Sequence, residues 1–142
     1  MKKLLLSLLL ILPLNLQAAK PTYGPYQAAV INVINGSTVE LNVHLWPGLK
    51  QRVKFRLQGI RVPIKHGKKV AECEKKAAQK ALDFTKKWLK NIKQVRLSQV
   101  KLGKFSGLVR GRLAVKGEYL GEALIKAGHA KPMSLGKKEP WC

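Results

Sequence analysis

The chemistry open to this chain is set by the charged side chains it has and those it lacks. Its 142 residues hold 28 Lys and Arg against 7 Asp and Glu, and Asp83 is the only aspartate. A hard divalent cation wants several carboxylate oxygens in one place, and the sequence supplies no such cluster. Glu40, His44 and His66 come nearest to a ligand set but lack any recognisable ligand spacing, and His129 stands apart. Two distant thiols, Cys73 and Cys142, do not complete a zinc site with them. Arginine, in contrast, offers a planar fork that matches phosphate oxygens. The chemistry that the excess of basic residues offers is therefore anion binding. No metal or other cofactor is expected.

The first 19 residues, MKKLLLSLLLILPLNLQAA, combine Lys2 and Lys3, an apolar run from Leu4 to Leu14 and small residues at Ala18 and Ala19. This is the layout of a cleaved secretory signal. The run is short of the ~20 residues a spanning helix needs, and no cysteine near the cut offers a lipid anchor. The chain is thus expected to be exported, to a periplasm or beyond the cell, as a single domain over residues 20–142 with a short C-terminal tail. Loss of Lys2 and Lys3 takes the net charge from +21 to +19. Self-repulsion on that scale opposes a compact state, so a polyanion is the expected partner: DNA, RNA, lipopolysaccharide or a cell-wall polymer. In an oxidising compartment Cys73 and Cys142 are expected to form a disulfide, which on a chain-entropy argument stabilises the fold by about 4 kcal/mol.

The elements that must carry these residues follow from periodicity. Ala28, Val30, Asn32 and Ile34 alternate into Asn35-Gly36, a tight-turn signal, and Val39, Leu41, Val43 and Leu45 continue with period two in the returning strand. WPGLK breaks that strand before a third, QRVKFRLQGIRV, in which Val53, Phe55 and Leu57 share one face and Arg52, Lys54 and Arg56 the other; Pro63 ends it. From Lys68 to Lys90 the period becomes helical, with Val70, Cys73, Ala77, Ala81, Phe84 and Trp88 in a stripe, which makes Trp88 a core anchor. Strands at KQVRLSQV and LVRGRLAV flank the loop KLGKFSG, and a short helix from Tyr119 to Ala127 stops at Gly128. The tail KPMSLGKKEPWC has no periodicity, leaving Cys142 as its expected tether. The order predicts an α+β fold, a five-stranded oligonucleotide-binding-type (OB-fold) β-barrel with flanking helices.

From Ala28 to about Ala130 these residues resemble the staphylococcal-nuclease-like (thermonuclease) family. VINGSTVEL is similar to that family's Asp-Gly-Asp-Thr hairpin, VKFRLQGIRVP to its Arg-Leu-x-Gly-Ile-Asp-x-Pro-Glu strand, AECEKKAAQKAL to its first helix, and GEYLGEALIKAGHA to its closing segment. The resemblance implies the same barrel and, in an intact member, calcium-dependent phosphodiester hydrolysis. There, acids hold the ion, a glutamate helps to activate water, and two arginines neutralise charge building on the phosphate.

Carried across residue by residue, the resemblance implies loss of nearly all of that machinery. Asn35 and Ser37 stand at the hairpin's two aspartates, Arg61 at the strand's calcium-binding aspartate and Ile64 at the glutamate. Arg56 keeps one arginine; in the family's Asp-x-Tyr-Gly-Arg loop, aligned on Gly107, Lys104, Ser106 and Leu108 replace the aspartate, tyrosine and arginine. A shifted register through Gly111-Arg112 fails, because Arg112 lies five positions before Gly117, too few for the strand, whereas Leu108 lies nine before it. A guanidinium ~4 Å from a unit positive charge costs about 4 kcal/mol at an effective dielectric of about 20, and a divalent ion roughly doubles this. Arg61 is thus expected to repel calcium. The expected function is a catalytically inactive, exported nuclease-like domain that binds nucleic acid through Lys54, Arg56, Arg61, Lys104, Arg110 and Arg112. The alternatives are an envelope structural or interaction protein on the same scaffold, and a residual metal-dependent phosphodiesterase built on Glu40, His44 or His66.

Overall fold

Asn35 and Gly36 reverse the chain between β1 (Tyr26–Asn35) and β2 (Thr38–Trp46), and the Pro47-Gly48 turn carries it into β3 (Leu49–Leu57). The computed structural model describes residues 18–105, 107–133 and 138–142; most of the expected signal, Ser106 and the middle of the tail lie outside them. After β4 (Ile60–Arg61) and α1 (Glu72–Trp88), the chain forms β5 (Val95–Leu102), β6 (Leu108–Val115), β7 (Glu118–Tyr119), α2 (Leu120–Lys126) and β8 (Lys131–Pro132).

The strand order β3-β2-β1-β5-β6 is closed by pairing of β3 with β6, which makes a five-stranded barrel. That closing pair is parallel, while every other pair in the barrel is antiparallel. The α+β, OB-like barrel expected from the sequence is therefore present. Its interior is the alternating apolar set: Val39 and Leu41 of β2, Phe55 and Leu57 of β3, Val95 and Leu97 of β5, and Leu113 of β6. Leu120 and Leu124 of α2 are fully buried in the same cluster. Each such side chain contributes roughly 1.5–3 kcal/mol when removed from water. Phe84 and Trp88 of α1 pack against this core, as the expected anchor role of Trp88 requires.

Four local readings change. In β1 the register slips between Val30 and Asn32, so Val33 rather than Ile34 lies opposite buried Val39, and Ile34 is exposed. One extra residue reverses the alternation of faces beyond it. Leu45 is likewise exposed, because β2 runs past the barrel wall and carries a second irregularity between His44 and Trp46. The third strand does not continue to Val62. It breaks at Gln58-Gly59, where Gly59 takes a φ of 74°, and the chain resumes as β4 against β8.

Helix α1 starts at Glu72 rather than Lys68, and its buried stripe is Ala78, Ala81 and Thr85 rather than one through Cys73 and Ala77. The rotation is explained by what docks on it. A Cβ at Gly36 would lie 2.8 Å from Ala81 Cβ, so only a glycine in the turn and a small residue on the helix allow this approach. The buried Thr85 hydroxyl donates a 2.8 Å hydrogen bond to the Gly36 carbonyl. Turn and helix thereby hold each other.

The tail is tied down by more than its cysteine. Cys142 is disulfide-bonded to Cys73, with a Cα–Cα separation of 6.1 Å, and Met133 N–H donates to the Gly59 carbonyl at 2.8 Å. Lys131 and Arg61 also lie over the Trp141 ring, at 4.8 and 5.1 Å from its centroid.

Replacing Thr85 with Val keeps the volume of the side chain and leaves the Gly36 carbonyl without its buried donor. The Thr85→Val variant is expected to lose about 1–3 kcal/mol in urea unfolding. An unchanged midpoint would show that the turn does not depend on that bond.

Candidate anion-binding site

Because side chains alternate across a strand, the parallel register of β3 and β6 decides which cations meet. Lys54 lies opposite Leu108 and Arg56 opposite Arg110, whereas Phe55, Val109, Leu57 and Gly111 belong to the inward set. Backbone bonds fix the register: Lys54 N–H donates to the Gly107 carbonyl at 2.9 Å, and Gln58 N–H to the Gly111 carbonyl at 3.0 Å. Across the neighbouring strands, Thr38 of β2 stands beside Arg56 and Lys101 of β5 beside Arg110. The result is one outward row, Thr38, Arg56, Arg110, Lys101, over four strands spaced about 4.8 Å apart.

Like charges at directly opposed strand positions repel, and among the described residues no carboxylate pairs with any member of this row. Arg110 Nε is buried without a hydrogen-bond partner. A desolvated charged donor left unpaired is costly, and among the described residues no carboxylate offsets it. Glu40, on the same outer face beside Lys54, does not fill that role. It accepts a 2.8 Å hydrogen bond from Arg52, which chiefly holds its carboxyl below the ordinary range, with Lys54 pulling the same way.

Arg56 also lines an open pocket of about 460 Å³ between the β1–β2 turn, the segment after β4 and α1. The same pocket gathers Asn35, Ser37 and Ile64, three of the positions where the resemblance puts acids in an intact enzyme, together with Lys65 and His66. Among the described residues no carboxylate lines it. Asn35 Oδ1 accepts from the Ser37 N–H at 2.9 Å and from its hydroxyl at 3.3 Å, so the pair closes the turn. Ile64 is exposed, and its N–H donates to the Glu74 carboxylate of α1 at 3.2 Å. Lys65 donates to Gln79 Oε1 at 2.8 Å. Among the described residues no three His, Cys, Asp or Glu side chains group to hold a metal.

The remaining cations selected from sequence are placed elsewhere. Arg61 is not part of the pocket lining; its guanidinium donates to the Glu139 carbonyl in the tail. Arg112 pairs with Glu122 and lies 3.6 Å from the centroid of the Tyr119 ring. Lys104 is exposed on the β5–β6 loop, and Leu108 faces outward opposite Lys54; Ser106, aligned with the family tyrosine, lies outside the described residues. Sequence reasoning passed over Lys101. Its place in the row depends on an irregularity between Ser98 and Lys101, where Gln99 takes a φ of 50°, and no residue pattern announces it.

No protein-family model and no curated protein matches the chain.

With no acid lining the pocket among the described residues and Glu74 alone beside it, millimolar calcium is expected to give no saturable heat in calorimetry and to move Tm by less than about 1 °C. A saturable site accompanied by a rise in Tm would contradict this reading of the pocket.

Proposed function

We propose that the chain is a staphylococcal-nuclease-like domain that has lost catalysis and is exported to bind nucleic acid by its phosphate backbone. The observation that carries this reading is the register of Arg56 beside Arg110, with Arg110 Nε buried and unpartnered. Two guanidinium groups held on adjacent strands suit successive phosphate oxygens, and each contact releases condensed counterions. Such contacts position a backbone without reading its sequence. Lys54 and Lys101 extend the positive strip on either side, and Thr38 adds a hydroxyl at its edge.

Hydrolysis has no support among the groups lining the pocket. Asn35 and Ser37 are engaged with each other, Ile64 brings no base, and Arg56 remains as the one group that meets phosphate in the ancestral reaction. A turned-off enzyme of this kind keeps affinity for the backbone and loses the means to polarise water against it. Export is supported by the Cys73–Cys142 disulfide, which suits an oxidising compartment. Among the described residues no helix is long and apolar enough to cross a membrane.

Duplex DNA binding measured over a range of salt concentrations tests the proposal. Arg56→Ala and Arg110→Ala are each expected to weaken binding about tenfold and to flatten the salt slope by about 1, whereas Lys86→Ala/Lys87→Ala on α1 leaves both nearly unchanged. Plasmid DNA should stay intact in calcium, magnesium, manganese or zinc. Equal losses from either pair of sites, with DNA, heparin and lipopolysaccharide ranked by charge density alone, would replace this reading with general polyanion attraction.

A further inference from the structure

The parallel closure of the barrel points the β2–β3 turn and the β5–β6 loop toward the same end, with β6 starting opposite Lys54, five residues into β3. That end is strongly apolar and open to solvent: Trp46 is 74% exposed, Leu49 55%, Leu102 80% and Phe105 75%. Trp46 and Leu49 pair across their turn. Behind these tips lies a groove of about 210 Å³ whose walls include Tyr23, Leu45, Val53 and Leu102, with Gln51 its only amide side chain. The N-terminal segment borders it, since Tyr23 exchanges both backbone hydrogen bonds with Val100, at 2.8 and 2.9 Å.

Scattered apolar residues on a surface need no explanation, but two exposed apolar tips joined by one apolar groove, which Leu45 and Leu102 both line, mark an interaction site. Its surroundings select the partner. The segments from His44 to Gln51 and from Val100 to Val109 contain Lys50, Lys101 and Lys104 and no acid at all. Large apolar tips ringed by lysine are the pattern of a surface that enters the headgroup layer of an anionic membrane, where burial of apolar area and attraction to lipid phosphate add together. Nucleic acid suits this end less well. Trp46 and Phe105 offer flat faces for a base, but Leu45, Leu49 and Leu102 offer none, and the apolar groove offers almost nothing to read a base edge.

We propose that this end of the barrel seats on an anionic phospholipid bilayer. Trp46, Leu49, Leu102 and Phe105 enter the boundary between headgroups and acyl chains, Lys50 and Lys104 meet lipid phosphates, and the groove behind them accepts hydrocarbon. The surface meets the Arg56–Arg110 row only at Lys101, and none of Trp46, Leu49, Lys50, Leu102, Lys104 and Phe105 belongs to that row, so the two are separable by substitution.

The test uses protein recovered from the producing cells, its N-terminus fixed by mass spectrometry, and vesicles of phosphatidylcholine with and without phosphatidylglycerol. Wild-type protein is expected to sediment with the anionic vesicles and to show tryptophan quenching by brominated lipid. Trp88 is half-buried against the core and Trp141 lies beneath Arg61 and Lys131, so the quenching should vanish in Trp46→Phe. Trp46→Ser/Phe105→Ser is expected to weaken vesicle binding at least about tenfold and to leave duplex DNA binding unchanged. Should that variant misfold, Lys50→Glu/Lys104→Glu must give a comparable loss. The proposal is overturned by absence of quenching in the wild type. It is equally overturned if both double variants bind vesicles as tightly as the wild type, or if Trp46→Ser/Phe105→Ser loses DNA binding while vesicle binding persists.

Discussion

The parallel pairing of β3 with β6 is the constraint from which both the shape and the surface chemistry of this molecule follow. It closes the barrel around Phe55, Leu57 and Leu113, and the same register lays Arg56 beside Arg110 on the outside. Slipping that ladder by one residue would turn the guanidinium groups inward and expose the core. The register therefore fixes where these cations stand, and their repulsion is carried by the free energy of the apolar interior. The +21 charge of the chain adds to that burden.

Several contacts oppose the repulsion. Gly36 and Thr85 lock the first hairpin to α1. The Cys73–Cys142 disulfide and the stacking of Arg61 and Lys131 on Trp141 return the C-terminus to the barrel. Acids are spent on neutralising particular cations rather than on building a site: Glu40 on Arg52, Glu122 on Arg112, Glu139 on Lys131. None of these pairs touches Arg56 or Arg110, so the two arginines that meet across the closing strands carry no carboxylate partner among the described residues.

Much of the barrel was legible in the sequence because period-two alternation survives in β3, in β6 and in β2 as far as Val43, and the helical stripe of α1 names its anchors Phe84 and Trp88. What escaped was everything decided by a single inserted or kinked residue. The slip near Ile31 exposes Ile34, the Gly59 kink splits the third strand, and the irregularity at Gln99 brings Lys101 into the row. Individual cations were legible only as candidates. Arg61 and Arg112 are as basic in sequence as Arg56 and Arg110, and only tertiary packing gives them a tail carbonyl and a glutamate as partners. The gathering of Asn35, Ser37 and Ile64 around one pocket follows from the hairpin, the strand break and α1 acting together.

The central claim is about where a phosphate backbone lies, and nuclear magnetic resonance of the isotopically labelled protein titrated with a short DNA duplex locates it most directly. The largest shifts are expected on backbone amides from Lys54 to Leu57 and from Leu108 to Arg112, with the guanidinium resonances of Arg56 and Arg110 moving alongside them. Shifts concentrated on the lysine face of α1, with Arg56 and Arg110 unmoved, would contradict that claim.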